Sequence, residues 1–176
     1  MPFTLLLGGA RSGKSSLATD LARRSASPVT MVATALAGDE EMTTRIERHQ
    51  RDRPPTWRVV EEPIDLSGIV ESLPPNEFVV VDCLTMWLVN LTERGLTEPD
   101  ILGRAATSAE LLAARPGEAA VVSNEVGMGI VPMGPETRAW RDLLGAINTR
   151  FAAAAHTTWL VVAGRILDLA PPFPRG

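Results

Sequence analysis

The feature that most constrains the fold is a glycine-rich segment close to the start of the chain. Residues 8–15 read Gly-Gly-Ala-Arg-Ser-Gly-Lys-Ser and satisfy the pattern G-x-x-x-x-G-K-[ST]. The apolar run Phe3–Leu7 before the segment is typical of a buried strand, and Lys14–Arg24 after it has helical periodicity. The alternative is a tight turn that contains Lys-Ser by chance. The strand–loop–helix context favours a phosphate-binding loop.

The residue types of this loop suit the binding of a nucleoside triphosphate. Glycines let backbone N–H groups approach phosphate oxygens, and the following helix N-terminus adds a partial positive charge. Lys14 is predicted to reach the β- and γ-phosphates, and the Ser15 hydroxyl is predicted to ligate Mg²⁺. Arg11 either contacts a phosphate or is solvated, and the sequence favours neither. The predicted nucleotide contacts in this loop are Gly8, Gly9, Ala10, Arg11, Ser12, Gly13, Lys14 and Ser15.

Short apolar runs alternate along the chain with longer amphipathic ones. The apolar runs are near-continuous, as in parallel strands that are buried on both faces. We predict strands over Phe3–Leu7, Val29–Ala33, Phe78–Val81, Ala119–Val122 and Trp159–Val162, with a weaker one over Trp57–Val60. We predict helices over Lys14–Arg24, Glu40–Arg51, Ile64–Ser72, Leu84–Glu93, Pro99–Ala114 and Glu136–Ala155. This alternation predicts an α/β fold of the P-loop NTPase type (RecA-like), with a doubly wound, mostly parallel sheet flanked by helices.

Length and composition narrow the class of protein further. The chain has 176 residues, which suits one catalytic domain over residues 1–170 and an extended tail over residues 171–176. Its net charge of -4 argues against a nucleic-acid partner, and no apolar run approaches the roughly 20 residues of a membrane span. The single cysteine, Cys83, excludes an internal disulfide and fits the cytoplasm, where we expect the protein.

An aspartate follows the third strong strand. In Phe78-Val79-Val80-Val81-Asp82 the carboxylate comes at the strand's carboxyl end, where P-loop folds hold the Mg²⁺ shell. Asp82 could instead cap the helix that begins near Thr85. Because the chain also contains a convincing phosphate loop, we favour the magnesium role for Asp82.

Two further segments carry polar side chains whose roles the residues alone leave open. His49 lies among Arg45, Arg48, Arg51 and Arg53, a setting that favours a neutral imidazole and attracts phosphates. It is either a surface histidine of a solvated helix or a nucleophile for nucleotidyl transfer. The segment from Ser123 to Pro132 is either a loop near the site or a flexible connection. His156 is expected to be a packing or helix-terminal residue.

Several motifs occur in order along nearly the whole chain. They are residues 8–15, Val32-Ala33-Thr34, Asp39-Glu40-Glu41-Met42, Arg45-Ile46 through His49, Arg53-Pro54 with Trp57-Arg58, Asp82-Cys83-Leu84-Thr85 with Asn90-Leu91, Asn124 through Pro132, and Trp159 through Gly164. Together they resemble the bifunctional adenosylcobinamide kinase / adenosylcobinamide-phosphate guanylyltransferase family of cobalamin biosynthesis. The string from Asn124 to Pro132 is far more specific than the phosphate loop.

The resemblance implies two reactions on a small-molecule corrinoid. The first is phosphorylation of adenosylcobinamide by ATP or GTP. The second is transfer of GMP from GTP to that phosphate, which gives adenosylcobinamide-GDP and pyrophosphate. In the family a histidine carries GMP covalently, and the matching position is His49, so His49 and Lys14 are the expected catalytic residues. The phosphate loop is expected to serve both steps.

The resemblance also implies further nucleotide contacts and an assembly. The contacts fall after the second strand, around the histidine, and at two later acidic positions: Ala33, Thr34, Ala35, Arg51, Asp52, Arg53, Glu61 and Asp82. The family forms trimers, and the apolar stretch from Leu84 to Val89 is either a subunit contact or ordinary core. Asp82 and Glu125 are both candidates for the general base of the kinase step.

Three departures from the family pattern are visible. Arg48 precedes His49 where the family often has a second histidine, and Asp82 stands where some members have glutamate. The end of the chain from Arg165 to Pro171 differs from members that finish soon after the last strand. Two rival functions remain at this point: a kinase without transferase activity, and a regulatory nucleotide switch.

Overall fold

The computed structural model describes residues 3–36 and 54–171. Within these ranges a seven-stranded sheet carries helices on both faces. The strands are β1 Phe3–Leu7, β2 Val29–Ala33, β3 Arg58–Glu61, β4 Phe78–Asp82, β5 Ala119–Val122, β6 Thr157–Val162 and β7 Arg165–Leu169. The helices are α1 Lys14–Arg24, α2 Leu66–Ser72, α3 Leu84–Glu93, α4 Glu98–Ala114 and α5 Pro135–Ala154.

The sheet confirms the predicted fold class. Its strand order is β3-β2-β4-β5-β1-β6-β7, and every neighbouring pair is parallel except β6 and β7. Because β5 lies between β1 and β4, the phosphate-loop strand and the Asp82 strand are not neighbours. The carboxyl ends of the parallel strands share one edge of the sheet, which is where α/β folds bind ligands.

Alternating residues of the central strands face two separate cores. Leu5, Leu7 and Val81 pack with α2, α3, α4 and α5, whereas Leu6 and Val80 pack with Ala18 and Ala22 of α1. Both faces of the central strands are therefore covered, which explains their near-continuous apolar sequences. In α3, Leu84, Trp87 and Leu88 are fully buried in the first core.

The predicted elements agree closely with the observed ones in the described ranges. β1, β2, β5, α1 and α3 have the predicted bounds. α4 begins one residue before the predicted Pro99, because Thr97 and Asp100 form a capping box around its first turn. The predicted helix Glu40–Arg51 and residues 172–176 of the predicted tail lie outside the described residues.

The strand β7 was not predicted. It pairs antiparallel with β6 through the two-residue turn Ala163-Gly164, whose φ angles of 51° and 73° suit a tight hairpin. All five of its residues are exposed, so it lacks the buried pattern by which the other strands were predicted. None of the helices in the described ranges has the length and apolar character needed to cross a membrane.

Candidate functional site

The phosphate loop, residues 8–15, joins β1 to α1 and is closely packed at Gly8 and Gly13, the two glycines of the phosphate-loop pattern. Gly8 has φ of 152°, and a Cβ there would lie 2.3 Å from the carbonyl oxygen of Val161. Gly13 has φ of 102°, and its Cβ would lie 3.3 Å from Cα of Gly164. Side chains are therefore excluded at both positions by backbone conformation and by β6 and the turn that follows it.

Lys14 is the buried cation of this loop, with 6% of its surface exposed. Its ammonium donates to the carbonyl oxygens of Gly8 at 2.8 Å and Gly9 at 2.7 Å, and it lies 3.4 Å from Ser12 Oγ. The N-cap of α1 is Gly13, which has no side chain that could accept from the N–H groups of the first helical turn. Such a helix end with a lysine beside it is suited to bind phosphate.

The other loop residues face outward or support the turn. Gly9, Ala10 and Arg11 are exposed, Ser15 is half-buried, and Ser12 is buried. Arg11 has φ of 56°, an unusual value for a non-glycine residue, which places a strained residue within a predicted binding loop. The exposed side chain of Arg11 is compatible with both of the roles left open by the sequence.

The hairpin turn between β6 and β7 supports the phosphate loop from the side. The N–H of Gly164 donates to the carbonyl oxygen of Ser12 at 2.8 Å. Sequence reasoning left the segment from Arg165 onward unexplained. The short turn between two apolar runs, Trp159–Val162 and Ile166-Leu167, was the signal that could have identified the hairpin.

The strand ends bring several predicted site residues into one row. Ala33 pairs in register with Glu61 of β3 on one side and with Asp82 of β4 on the other, and Asp82 pairs with Val122, the partner of Leu6. At about 4.8 Å per strand, Asp82 lies roughly 10 Å from β1 and Glu61 roughly 19 Å. Glu61 is therefore too far from the phosphate loop to contact the same phosphates.

Thr34 joins the ends of β2 and β4. Its hydroxyl donates to the Cys83 carbonyl oxygen at 2.6 Å and accepts from the Cys83 N–H at 2.8 Å, and its own N–H donates to the Asp82 carbonyl oxygen at 3.1 Å. The side-chain amide of Asn90, which is buried on α3, donates to the carbonyl oxygens of Thr34 at 2.7 Å and Pro63 at 3.2 Å. These bonds fix the backbone that carries the Asp82 carboxylate.

Cys83 follows Asp82 and is not placed to act as a thiolate. Burial, and to a smaller degree the charge of Asp82, raises the pKa of the Cys83 thiol to about 11. The thiol is therefore neutral at physiological pH, which agrees with a structural role for this residue.

The β5–α5 loop, residues 123–134, lies against the phosphate loop. The N–H of Ser123 donates to the Leu6 carbonyl oxygen at 2.9 Å, and the N–H of Glu125 donates to the Gly8 carbonyl oxygen at 3.0 Å. The N–H of Asn124 donates to Thr85 Oγ1 at 3.0 Å. Of the two roles left open for this segment, the structure supports a loop at the site.

Asn148 of α5 holds the start of the β5–α5 loop. Its Oδ1 accepts from Ser123 Oγ at 2.6 Å, and its Nδ2 donates to the Asn124 carbonyl oxygen at 3.0 Å. Sequence reasoning did not select Asn148. An asparagine in the middle of an otherwise apolar helix face, after Leu144 and Ile147, was the available signal.

The remaining predicted site residues are not brought together in the described ranges. His49, Arg51, Asp52 and Arg53 lie outside the described residues, as does the motif Asp39-Glu40-Glu41-Met42. His156 is exposed, and its N–H donates to the Phe3 carbonyl oxygen at the start of β1. It therefore lies at the edge of the sheet opposite the phosphate loop, as expected of a residue outside the site.

Several solved structures share this fold. The chain superposes on a prototypical ATPase from the type III secretion system of pathogenic bacteria with a TM-score of 0.56, at 11% identity. That match covers 90% of this chain and 50% of the ATPase, so the chain spans about half of the ATPase's length. It superposes on the RadB recombinase with a TM-score of 0.51, at 16% identity, covering 90% of this chain and 73% of that protein. These likenesses show the RecA-like fold.

Sequence relatives are far more similar. The chain is 42% identical over 167 residues to the bifunctional adenosylcobalamin biosynthesis protein CobP of Pseudomonas aeruginosa, which covers 94% of this chain and 95% of that protein. It is 42% identical to CobU of Escherichia coli and 38% identical to CobU of Salmonella typhimurium, each over 173 residues, 91% of this chain and 95% of the relative.

The match to the family extends over almost the whole chain. Residues 4–169 match the family described as cobinamide kinase / cobinamide phosphate guanyltransferase, so the match includes β7 as well as the phosphate loop and the β5–α5 loop. The chain therefore belongs to the cobinamide kinase / cobinamide phosphate guanyltransferase family and is an enzyme of that family.

Proposed function

We propose that this enzyme phosphorylates adenosylcobinamide with ATP or GTP, and then transfers GMP from GTP to the product to give adenosylcobinamide-GDP and pyrophosphate. Family membership over residues 4–169 supports the pair of reactions. The observation that carries the chemistry is the phosphate loop, in which the buried Lys14 ammonium and the start of α1 meet at the end of β1. This arrangement binds a triphosphate in either reaction.

In the kinase step Lys14 neutralises charge on the transferring phosphoryl group. The Ser15 hydroxyl and the Asp82 carboxylate are oxygen ligands of the kind Mg²⁺ prefers, and both lie at the carboxyl edge of the sheet. Mg²⁺ held by these two residues would neutralise negative charge on the phosphates. In the described ranges no three His, Cys, Asp or Glu side chains cluster, and Mg²⁺ commonly uses one or two protein ligands plus phosphates.

In the transferase step His49 is the proposed nucleophile. A neutral imidazole nitrogen attacks the α-phosphorus of GTP, the bond to the bridging oxygen breaks, and pyrophosphate leaves. The phosphate of the acceptor then attacks the same phosphorus, and the bond between nitrogen and phosphorus breaks. The covalent intermediate thus divides one transfer into two displacements at the same phosphorus.

The nucleotide contacts divide between the two ends of the site. Ala33 ends β2 next to Asp82, and Thr34 and Ala35 follow it. Glu61 lies about two strands beyond Asp82, so we assign it, with Arg51, Asp52 and Arg53, to the guanylyl step rather than to the phosphates on the phosphate loop.

A cytoplasmic homotrimer is part of the proposal. The exposed edge strand β7 and the residue before its turn carry exposed apolar side chains, which suits a contact with another subunit: Val162, Ile166, Leu167 and Leu169. The alternative contact from Leu84 to Val89 is less suited, because its large side chains Leu84, Trp87 and Leu88 are packed in the core. A trimer is expected in sedimentation equilibrium, and a monomer would contradict it.

The test is covalent labelling by GTP that is radioactive in its α-phosphate, with Mg²⁺ and without acceptor. We expect label that stays on the denatured protein and is labile to acid but stable to alkali, as a phosphoramidate is. GTP labelled in its γ-phosphate is the control and should leave no label. Absence of α-label would reject the histidine intermediate.

Replacement of His49 separates the bifunctional enzyme from its rivals. His49→Ala should abolish labelling and GMP transfer but retain most of the phosphorylation of adenosylcobinamide. His156→Ala is the matched control, because His156 is exposed at the opposite edge of the sheet and should change neither activity. Equal loss of both activities, or of neither, would contradict the assigned role. A regulatory switch would hydrolyse nucleotide slowly and would not phosphorylate the corrinoid.

A further inference from the structure

A cavity of about 430 Å³ opens between the β5–α5 loop and α5. The loop contributes Glu125, Val126 and Val131, and the helix contributes Arg141, Asp142 and Gly145. Its size lies in the range of small-molecule sites, and its lining combines apolar surface with a few polar groups, as such sites do.

The inner end of this cavity adjoins the phosphate loop. The Gly8 carbonyl oxygen accepts from Lys14 Nζ at 2.8 Å and from the Glu125 N–H at 3.0 Å. Because both bonds end on one atom, the two nitrogens lie less than about 6 Å apart. The backbone of Glu125, a residue that lines the cavity, therefore lies close to the ammonium proposed to bind the β- and γ-phosphates.

The β5–α5 loop beside the cavity is unusually apolar for an exposed loop. Met128, Ile130 and Met133 are 76%, 97% and 96% exposed. The loop is nevertheless anchored at both ends to α5: Asn148 holds Asn124, and Arg138 donates to the carbonyl oxygens of Pro132 and Met133. Large apolar side chains displayed on an anchored loop are typical of a binding surface.

We propose that this cavity is the acceptor site of the kinase step, with the hydroxyl arm of the corrinoid at Glu125 and the edge of the macrocycle against the apolar loop. The apolar faces of a corrin suit Met128 and Ile130, and its peripheral amides suit the carboxylate of Asp142 and the guanidinium of Arg141. This inference rests on the proposed function, since it assigns the place of that function's substrate.

Glu125 then acts as the general base. Its Oε1 accepts from the Gly127 N–H at 2.6 Å, which holds the carboxylate at the cavity. The hydroxyl oxygen of the acceptor attacks the γ-phosphorus, the bond from that phosphorus to the β,γ-bridging oxygen breaks, and the carboxylate takes the hydroxyl proton. The products are the phosphate ester and the nucleoside diphosphate.

A side chain added at Gly145 tests the site. A Cβ at Gly145 meets nothing within 4 Å, so Gly145→Leu and Gly145→Phe extend into the cavity, and leucine is also the better helix former. We expect the KM for adenosylcobinamide to rise at least about tenfold with leucine and further with phenylalanine, while the KM for the nucleotide stays unchanged.

Gly103 supplies the matched control. It lies within α4, it is exposed, and a Cβ there also meets nothing within 4 Å. Its carbonyl oxygen accepts from Thr107 Oγ1 as that of Gly145 accepts from Thr149 Oγ1, so the two helix sites are locally alike. Gly103→Leu and Gly103→Phe should leave both KM values unchanged. An unchanged acceptor KM in folded Gly145→Leu, or an equal rise in the Gly103 variants, would overturn the assignment.

Glu125→Gln tests the base. Glutamine keeps the acceptor for the Gly127 N–H but cannot take a proton, so kcat for phosphorylation should fall about 100-fold or more. Transfer of GMP to preformed adenosylcobinamide phosphate needs no hydroxyl deprotonation and should be retained. Equal loss of both activities, or of neither, would overturn the role of Glu125. If the unaltered enzyme does not phosphorylate adenosylcobinamide, the proposed function fails first.

Discussion

The phosphate loop and the β5–α5 loop follow neighbouring strands, and both contain glycines, but the protein holds them in opposite ways. A Cβ at Gly8 would meet the Val161 carbonyl oxygen at 2.3 Å, whereas a Cβ at Gly129 would meet nothing within 4 Å. Lys14 in the first loop is 6% exposed, and Ile130 in the second is 97% exposed. The first loop is packed at Gly8, Gly13 and Lys14, whereas the second is anchored near its ends and exposes its middle.

The difference matches the ligand that we propose for each loop. Phosphate is bound by backbone N–H groups and one ammonium, whose positions must be set before the ligand arrives, so the surrounding backbone closes on the loop. A large apolar acceptor is bound by side-chain surface, which tolerates adjustment if the anchors hold. The comparison predicts that replacing a glycine impairs the phosphate loop more than the β5–α5 loop. It also predicts that replacing an anchoring side chain impairs the β5–α5 loop.

The largest expected effect is that of Gly8→Ala. The added methyl group collides with backbone of β6, and alanine is disfavoured at φ of 152°, so we expect a loss of about 3 kcal/mol or more. The corresponding fall in Tm is about 6–12 °C. Nucleotide binding, measured by titration calorimetry, should fall with it.

Gly129→Ala is the control for that comparison. It adds the same methyl group to a loop glycine in open space, and it should leave Tm and nucleotide affinity unchanged. Similar losses in the two variants would show that the two loops are not held differently.

These two loops also differ in how far sequence could predict them. The phosphate loop was predicted residue by residue, because its chemistry is carried by a short local pattern. The β5–α5 loop was left open between a site loop and a flexible connection. Its placement depends on Asn148 and on the Gly8 carbonyl oxygen, which lie 24 and 117 residues from Asn124 and Glu125 along the chain.

The strands were likewise predicted where a local pattern specifies them, and β7 was missed because its pairing with β6 specifies it. Buried central strands such as Phe78–Asp82 have apolar sequences that are visible without tertiary information. The edge strand β7 is exposed throughout and is specified by its pairing with β6, so its sequence Arg-Ile-Leu-Asp-Leu carries no such pattern. The contact that Gly164, in the turn before β7, makes with the phosphate loop could not be predicted from local sequence.

A middle-sized effect is expected at the anchor of the β5–α5 loop. Asn148→Ala removes the partners of Ser123 Oγ and of the Asn124 carbonyl oxygen in a buried site, which should cost about 2 kcal/mol. That loss lowers Tm by about 4–8 °C. In kinase assays well below Tm, the KM for adenosylcobinamide should rise more than the KM for the nucleotide.

Asn90→Ala is the counterpart of Asn148→Ala at the end of β2. Asn90 is also buried on a helix and ties a strand end, but its partners are the carbonyl oxygens of Thr34 and Pro63. A similar loss of stability is expected, with GMP transfer impaired more than acceptor binding. If Asn148→Ala and Asn90→Ala impair the same activity, our assignment is wrong. That assignment places acceptor binding at the β5–α5 loop and GMP transfer near the end of β2.

The smallest expected effect comes from the turn that supports the phosphate loop. Gly164 and Gly95 both have φ of 73° and open space around the Cβ position, so alanine at either should cost about 1 kcal/mol and lower Tm by about 2–4 °C. Only Gly164 donates to the phosphate loop, at the Ser12 carbonyl oxygen, whereas Gly95 donates to the Thr92 carbonyl oxygen at the end of α3. Equal thermal shifts with weaker nucleotide binding in Gly164→Ala alone would show that the hairpin positions the loop. If nucleotide affinity is unchanged in both variants, β6 and the loop's own glycines are sufficient to hold it.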